Sequence, residues 1–344
     1  MPDAFIIVVA GSALAFDFIA GFHDAANAIA TSVLTRALKI PTAIAMAAAL
    51  NLAGGLLHQA VALTVGKGIV DPGFMNLETV FAAVLGAILW ELFTWRLGLP
   101  SSATHALIGG LVGAAAAAHL SVTLGAGHLT LSLPWQMYNP VGLRKVLTGL
   151  VCSPLIGFTA SWLLMVLLYH IFAHTPPRRL NGPFRRLQVF SAGFMAFSHG
   201  TNDAQNGMGV MTLALLSGGY LDSFVIPLWV RLLCATMIGL GTAAGGWRII
   251  KTMGRRVMDL QPIHGFAAET SAATAIQCFA LWGAPISTTH VISSAIMGVG
   301  SARRLSAVRW KVVSHMVLAW VLTIPMSALV AALCYYLLHP LLGR

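Results

Sequence analysis

Of 344 residues, 58% are hydrophobic and 9% charged, where an ordinary soluble domain has about 25% charged residues. Repeated runs of about 20 apolar residues are the length a helix needs to cross a bilayer, so the chain reads as an all-α, polytopic membrane protein. The net charge of +10 does not point to nucleic acid, because the basic residues sit in short loops between apolar runs and act there as topology signals and contacts for lipid head groups. Cys152, Cys234, Cys278 and Cys334 stand singly, and neither a CxxC nor an HExxH spacing occurs. This argues against a structural metal or an intramembrane zinc enzyme.

In chain order, the first run, Ala4–Leu34, is preceded by Asp3 and by no basic residue, so it lacks the basic flank of a cleaved signal peptide. Within it lies GFHDAANAIAT, Gly21 to Thr31, which puts Asp24 and Asn27 at bilayer depth and is expected to break the helix. Polar groups placed there mark an ion or substrate path. Asp17, on the same run, and Glu91 are further acids within apolar spans. Apolar runs follow at Ile40–Val65, Leu77–Trp95, Ser101–Ala118 and Val146–Phe172. The proline- and arginine-rich segment His174–Leu187 reads as a cytoplasmic linker between a first repeat (1–173) and a second (188–344). The second half then offers Leu187–Leu216, also expected to be broken, Phe224–Trp247, Gly265–Trp282 (with Glu269), Ser287–Val299 and Val312–Leu338. The total is about ten crossings.

The halves repeat one another. Asp24-Ala-Ala-Asn27 aligns with Asp203-Ala-Gln-Asn206, an offset of 179 residues. LPSSATHALIGG, from Leu99, aligns with APISTTHVISSA, from Ala284, at an offset of 185, and Gly66–Asp71 aligns with Gly254–Asp259 at 188. With the amino terminus outside, inner loops hold Arg36, Lys39, Arg96, Arg178, Arg179, Arg185, Arg186, Arg248, Lys251, Arg255, Arg256, Arg303, Arg304, Arg309 and Lys311, which is 15 of the 20 basic residues. That asymmetry supports the orientation. Five crossings per half make the repeats inverted, and inverted repeats with interrupted helices at matching positions point to a secondary transporter with its site near the midplane.

PSSATH and PISTTH place proline and hydroxyl residues at helix starts. Such a terminus offers unpaired N–H groups and partial positive charge, suited to phosphate or sulfate. Ser101, Ser102, Thr104, Ser287, Thr288 and Thr289 are therefore candidate anion donors, although hydroxyls there also serve as plain caps. Asp24 and Asp203, with Glu91 and Glu269, are candidates for the coupling cation or proton, and Asn27 and Asn206 for the substrate. His105 and His290 correspond across the repeats and read as making a helix-packing hydrogen bond rather than shuttling protons, whereas His23 and His199 do not share a register. Gly109 and Gly113 have the spacing of a close helix contact.

The signatures GFHDAANAIAT, FSHGTNDAQNGMGV, LPSSATHALIGG and APISTTHVISSA closely resemble those of inorganic phosphate transporters of the PiT family. The resemblance runs to Trp320–Pro325 and so covers nearly the whole chain. It implies phosphate uptake across the cell membrane coupled to sodium or proton, no cofactor, and a homodimer in the bilayer. It also implies that Asp24, Asn27, Asp203 and Asn206 line the site beside the Ser/Thr helix ends. The sequence departs from the family pattern in its short linker and in having Glu91 where relatives commonly have asparagine. Sulfate symport is the nearest alternative. An intramembrane enzyme acting on a phosphorylated lipid is a remote one, and an anion channel is disfavoured because paired buried acids line a passive anion pore poorly.

Overall fold

The structure, a computed structural model, describes residues 2–125, 135–253 and 257–342. Gly254, Arg255 and Arg256, used in the repeat and charge arguments, lie outside them. The described residues form twelve α-helices with no strand among them: α1 (Pro2–Leu34), α2 (Ile40–Gly55), α3 (Ala60–Lys67), α4 (Leu77–Leu97), α5 (Ala103–Gly125), α6 (Pro140–Ile171), α7 (Pro177–Ser217), α8 (Leu228–Ala244), α9 (Trp247–Lys251), α10 (Pro262–Trp282), α11 (Thr288–Arg303) and α12 (Trp310–Leu342). Helices are what an apolar chain of this kind is driven to, because only helices and closed barrels satisfy every backbone group inside lipid.

Two sequence expectations change. The signatures do not interrupt their helices: α1 and α7 run unbroken through Asp24 and Asp203. The breaks fall elsewhere, between α2 and α3, which bend by 73°, and at the turns joining α4 to α5 and α10 to α11. The linker is also shorter than its composition suggests, since α7 begins at Pro177 and takes in most of His174–Leu187. Proline is well placed there, as its missing N–H is not needed in the first turn.

Helices α1, α4, α5, α6 and α12 are long and apolar enough to span a membrane, and α2 with α3 makes a sixth if the bent pair is one span. The expected crossings in α7, α8, α10 and α11 do not have that support. In α7 the polar signature and the arginines lower the apolarity, and α8 is apolar but only 17 residues long.

The two helix hairpins, α4–α5 and α10–α11, are built alike. Each first helix ends on a left-handed glycine, Gly98 at φ 68° and Gly283 at φ 70°, a conformation that glycine adopts without the Cβ penalty. The carbonyl of each glycine accepts a hydroxyl from the other half of the chain: Thr252 Oγ1 donates to Gly98 at 2.9 Å and Thr64 Oγ1 to Gly283 at 2.7 Å. Packing is exchanged in the same way. The α4–α5 hairpin lies on α12 and the α10–α11 hairpin on α6, while α2 packs on α7 and α8 on α1. Close approach of α5 to α12 depends on Gly109 and Gly113, where an added Cβ would strike Ser327 and the backbone of Ile324 and Ala328. Two buried apolar clusters result, one around α1, α4 and α5 and the other around α10 and α11.

Candidate anion and cation site

The hairpin tips converge on the middle of α1 and α7. Because α1 is continuous, Asp24 and Asn27 lie about one turn apart on one face, and Asp203 and Asn206 do the same on α7. The four are 3% exposed or less. Asn27 Nδ2 donates to Thr289 Oγ1 at 2.9 Å and to Thr288 Oγ1 at 3.3 Å. Thr289 Oγ1 donates to Asp24 Oδ1 (3.2 Å) and Thr288 Oγ1 to Asp203 Oδ2 (3.0 Å). Asn206 Nδ2 donates to Thr104 Oγ1 at 2.8 Å. The first turns of α5 and α11 thus meet both signatures, with their positive helix ends turned toward them.

Not every predicted hydroxyl joins this cluster. Ser102 Oγ accepts from His105 N (3.2 Å) and Ser287 Oγ from His290 N (3.1 Å), so these two serines cap their own helices. Ser101 reaches the first signature's surroundings instead, donating to Glu91 Oε1 at 3.1 Å and contacting His23 Nε2 at 3.3 Å. Glu91 belongs to the site, with Oε2 3.3 Å from His23 Nδ1. Glu269 does not meet Asp24, Asn27, Asp203 or Asn206 and binds only the last residue of the first signature, Thr31. Its carboxylate takes hydrogen bonds from Thr31, Ser191 and Gln188, and Thr35 donates to Gln188 Oε1 at 2.7 Å. Since Thr31 lies one turn on from Asn27 along α1 and Thr35 just past the end of that helix, this is a second polar cluster beyond the first. Asp17 lies against Gly207 of α7, whose missing Cβ leaves room for the carboxylate. His105 and His290 pack ring to ring, with centroids 5.0 Å apart and His290 lying over Trp320 at 4.2 Å. Among the described residues their ring nitrogens have no hydrogen-bond partner, so the expected helix-packing hydrogen bond is replaced by ring contact.

Sequence reasoning missed the importance of His23 and His199. His23 Nδ1 lies 2.9 Å from Asp24 Oδ1 and His199 Nε2 lies 2.9 Å from Asp203 Oδ2. Comparing register alone hid this, because one histidine is adjacent to its aspartate and the other precedes it by a full turn. The four-residue spacing of His199 and Asp203 does put ring and carboxylate on one helix face, whereas the meeting of the adjacent His23 and Asp24 is visible only in the structure. In His23's register the second repeat has Asn202, whose Nδ2 donates to Asp203 Oδ1 at 2.6 Å and to the tip carbonyl of Ile286 at 3.1 Å. Two groups of acidic and imidazole ligand atoms close enough to share one cation follow: His23, Asp24 and Glu91, and Asp24, His199 and Asp203. The arrangement therefore sets hydroxyl and amide groups beside carboxylates whose atoms lie close enough to share one cation.

The family model described as "Phosphate transporter family" matches residues 20–331, which takes in both signatures and both hairpins. The chain belongs to the phosphate transporter family. It is 46% identical over 328 residues to a "Probable low-affinity inorganic phosphate transporter" of Rhizobium meliloti (strain 1021), covering 94% of this chain and 93% of that protein. Identity is 43% to a protein of the same description from Bacillus subtilis (strain 168), covering 97% of each. The solved structure titled "The sodium-dependent phosphate transporter" superposes with a TM-score of 0.84 at 23% identity, covering 98% of this chain and 100% of that one. At that identity the likeness establishes the transporter's fold. Family and fold together make it a multi-pass membrane transporter rather than an enzyme.

Proposed function

We propose that this transporter imports inorganic phosphate by symport with a cation, sodium or proton, through alternating access, with two inverted repeats in each subunit of a homodimer. The observation that carries the reading is the convergence of Thr104, Thr288 and Thr289, at two helix amino termini, on Asp24–Asn27 and Asp203–Asn206 from the two halves. Hydroxyl and amide donors with helix-end charge suit a tetrahedral oxyanion. The aspartates alone would repel it, so they hold the cation or accept the proton of hydrogen phosphate. Their burial at 3% or less calls for a conformational change to admit substrate from either side. The exchanged packing of hairpins and long helices supports duplication of one unit.

Purified protein in liposomes, given a sodium or a proton gradient separately, tests this. Labelled phosphate should accumulate above its equilibrium level with one gradient and only equilibrate without either. Accumulation that ignores both gradients would remove symport.

A further inference from the structure

Behind His199 lies a chain of buried polar groups that no motif marks. His199 Nδ1 is 3.0 Å from Asn51 Oδ1, Asn51 Nδ2 donates to Thr242 Oγ1 at 2.8 Å, and Thr242 Oγ1 donates to the Ile238 carbonyl at 2.9 Å. Asn51, Thr242 and His199 are all fully buried. The chain starts at a carbonyl, which can only accept. Thr242 has one hydroxyl hydrogen and spends it there, so it accepts from Asn51 through its oxygen. Asn51 must therefore turn its NH2 to Thr242 and its Oδ1 to the ring, and His199 Nδ1 must carry a hydrogen. This is the one assignment that satisfies these three contacts. It fixes the ring plane, with Nε2 2.9 Å from Asp203 Oδ2.

The packing holds Asn51 in reach. Gly200 leaves the Asn51 backbone free to approach α7, since an added Cβ would strike its carbonyl, and Gly54 does the same against Phe197 one turn on. The first repeat has an analogous support made from a different residue. His23 Nε2 lies 3.2 Å from Thr94 Oγ1, whose hydroxyl is placed to donate to the carbonyls of Trp90 and Glu91. Both signature aspartates thus face an imidazole whose far nitrogen is held from behind by a neutral side chain.

We propose that Asn51, anchored by Thr242, is a positioning residue for transport: it holds His199 in the orientation that sets Asp203 in the site. The proposal rests on phosphate transport at this site, and it predicts that Asn51 acts only through His199. Labelled-phosphate uptake into liposomes, as KM and Vmax, is to be measured for Asn51→Leu, Thr242→Val, Thr242→Ser, His199→Gln and the double variant Asn51→Leu/His199→Gln. Thermal unfolding of each checks that it is folded. Loss of one oriented hydrogen bond predicts about a tenfold fall in Vmax/KM for Asn51→Leu. A smaller fall is expected for Thr242→Val, recovery for Thr242→Ser, and a double variant no worse than His199→Gln alone. Multiplying effects in the double variant, or wild-type uptake by folded Asn51→Leu, would overturn the role. If Asn51→Leu does not fold, Thr242→Val tests the same chain from its far end. Ring signals of 15N-histidine read the role without transport: the His199 resonance, identified by its loss in His199→Gln, should show a protonated Nδ1 that Asn51→Leu or Thr242→Val alters. An unaltered signal counts against the proposal, whereas a wild-type protein that moves no phosphate would sink only the function.

Discussion

Side chains of one chemical type do different work here according to where their helix points them. Ser102 and Ser287 spend their oxygens on the first turns of α5 and α11, whereas Thr288 and Thr289 donate to the two aspartates. Ser102→Ala should therefore cost stability, about 1 kcal/mol for a lost cap, with little change in phosphate KM. Thr288→Val should leave a folded protein with phosphate affinity one to two decades weaker, as expected for about 1.5–3 kcal/mol in a hydrogen bond to a charged group. Thermal unfolding and uptake kinetics on the same preparations separate the two, and equal KM shifts in both variants would contradict the division. The aspartates also bear on selectivity. Phosphate at neutral pH brings an O–H that a carboxylate can accept, while sulfate brings only acceptors, and such a difference can discriminate by orders of magnitude. Excess sulfate should not compete with labelled phosphate, and Asp203→Asn should relax that exclusion. Sulfate inhibition at concentrations near those of phosphate would favour sulfate as the substrate.

At the scale of the helix, the hairpin tips are set by where each first helix stops. Gly98 and Gly283 share a left-handed backbone, but their surroundings differ. A Cβ at Gly98 would meet nothing closer than 3.7 Å, while one at Gly283 would lie 3.0 Å from the Ala60 carbonyl. Gly98→Ala should thus cost roughly the 1–2 kcal/mol of left-handed strain alone, and Gly283→Ala more, because α3 must also yield. Chemical unfolding in detergent compares them, and an equal loss would mean that α3 gives way freely. Since Thr64 and Thr252 bind these two glycine carbonyls, a tip that shifts moves with the short helix of the opposite half. This ties each hairpin tip to both halves of the chain.

The arrangement of the whole molecule in the bilayer follows from charge. By the positive-inside rule we propose that the arginine-rich segment His174–Leu187 faces the cytoplasm and that the loop from Lys67 to Asn76 faces outside. In a background lacking the native cysteines, a membrane-impermeant thiol reagent applied to intact cells should label a single cysteine at Asn76 and spare one at His174. The reverse pattern would invert the proposed topology.

Membership of an all-helical membrane class, the family and the close contact at Gly109 and Gly113 were legible in the chain, and so were the residues of the candidate site that meet in space, Asp24, Asn27, Thr104, Asp203, Asn206, Thr288 and Thr289. Apolarity, capping residues and duplicated strings are local properties that survive in one dimension. The helix breaks were expected at the signatures because these are their most polar stretches, yet α1 and α7 stay continuous. The polar side chains find partners on the hairpin tips and leave the backbone bonds intact. Only the tertiary structure could send Glu269 to Thr31 and Ser191, turn Ser102 onto its own helix, set His23 and His199 against the aspartates and bring Asn51 behind His199. Those contacts join residues such as Asn27 and Thr288, 261 positions apart. Which face of a helix meets which tip depends on packing register and on close approach at glycines, and no local string encodes either.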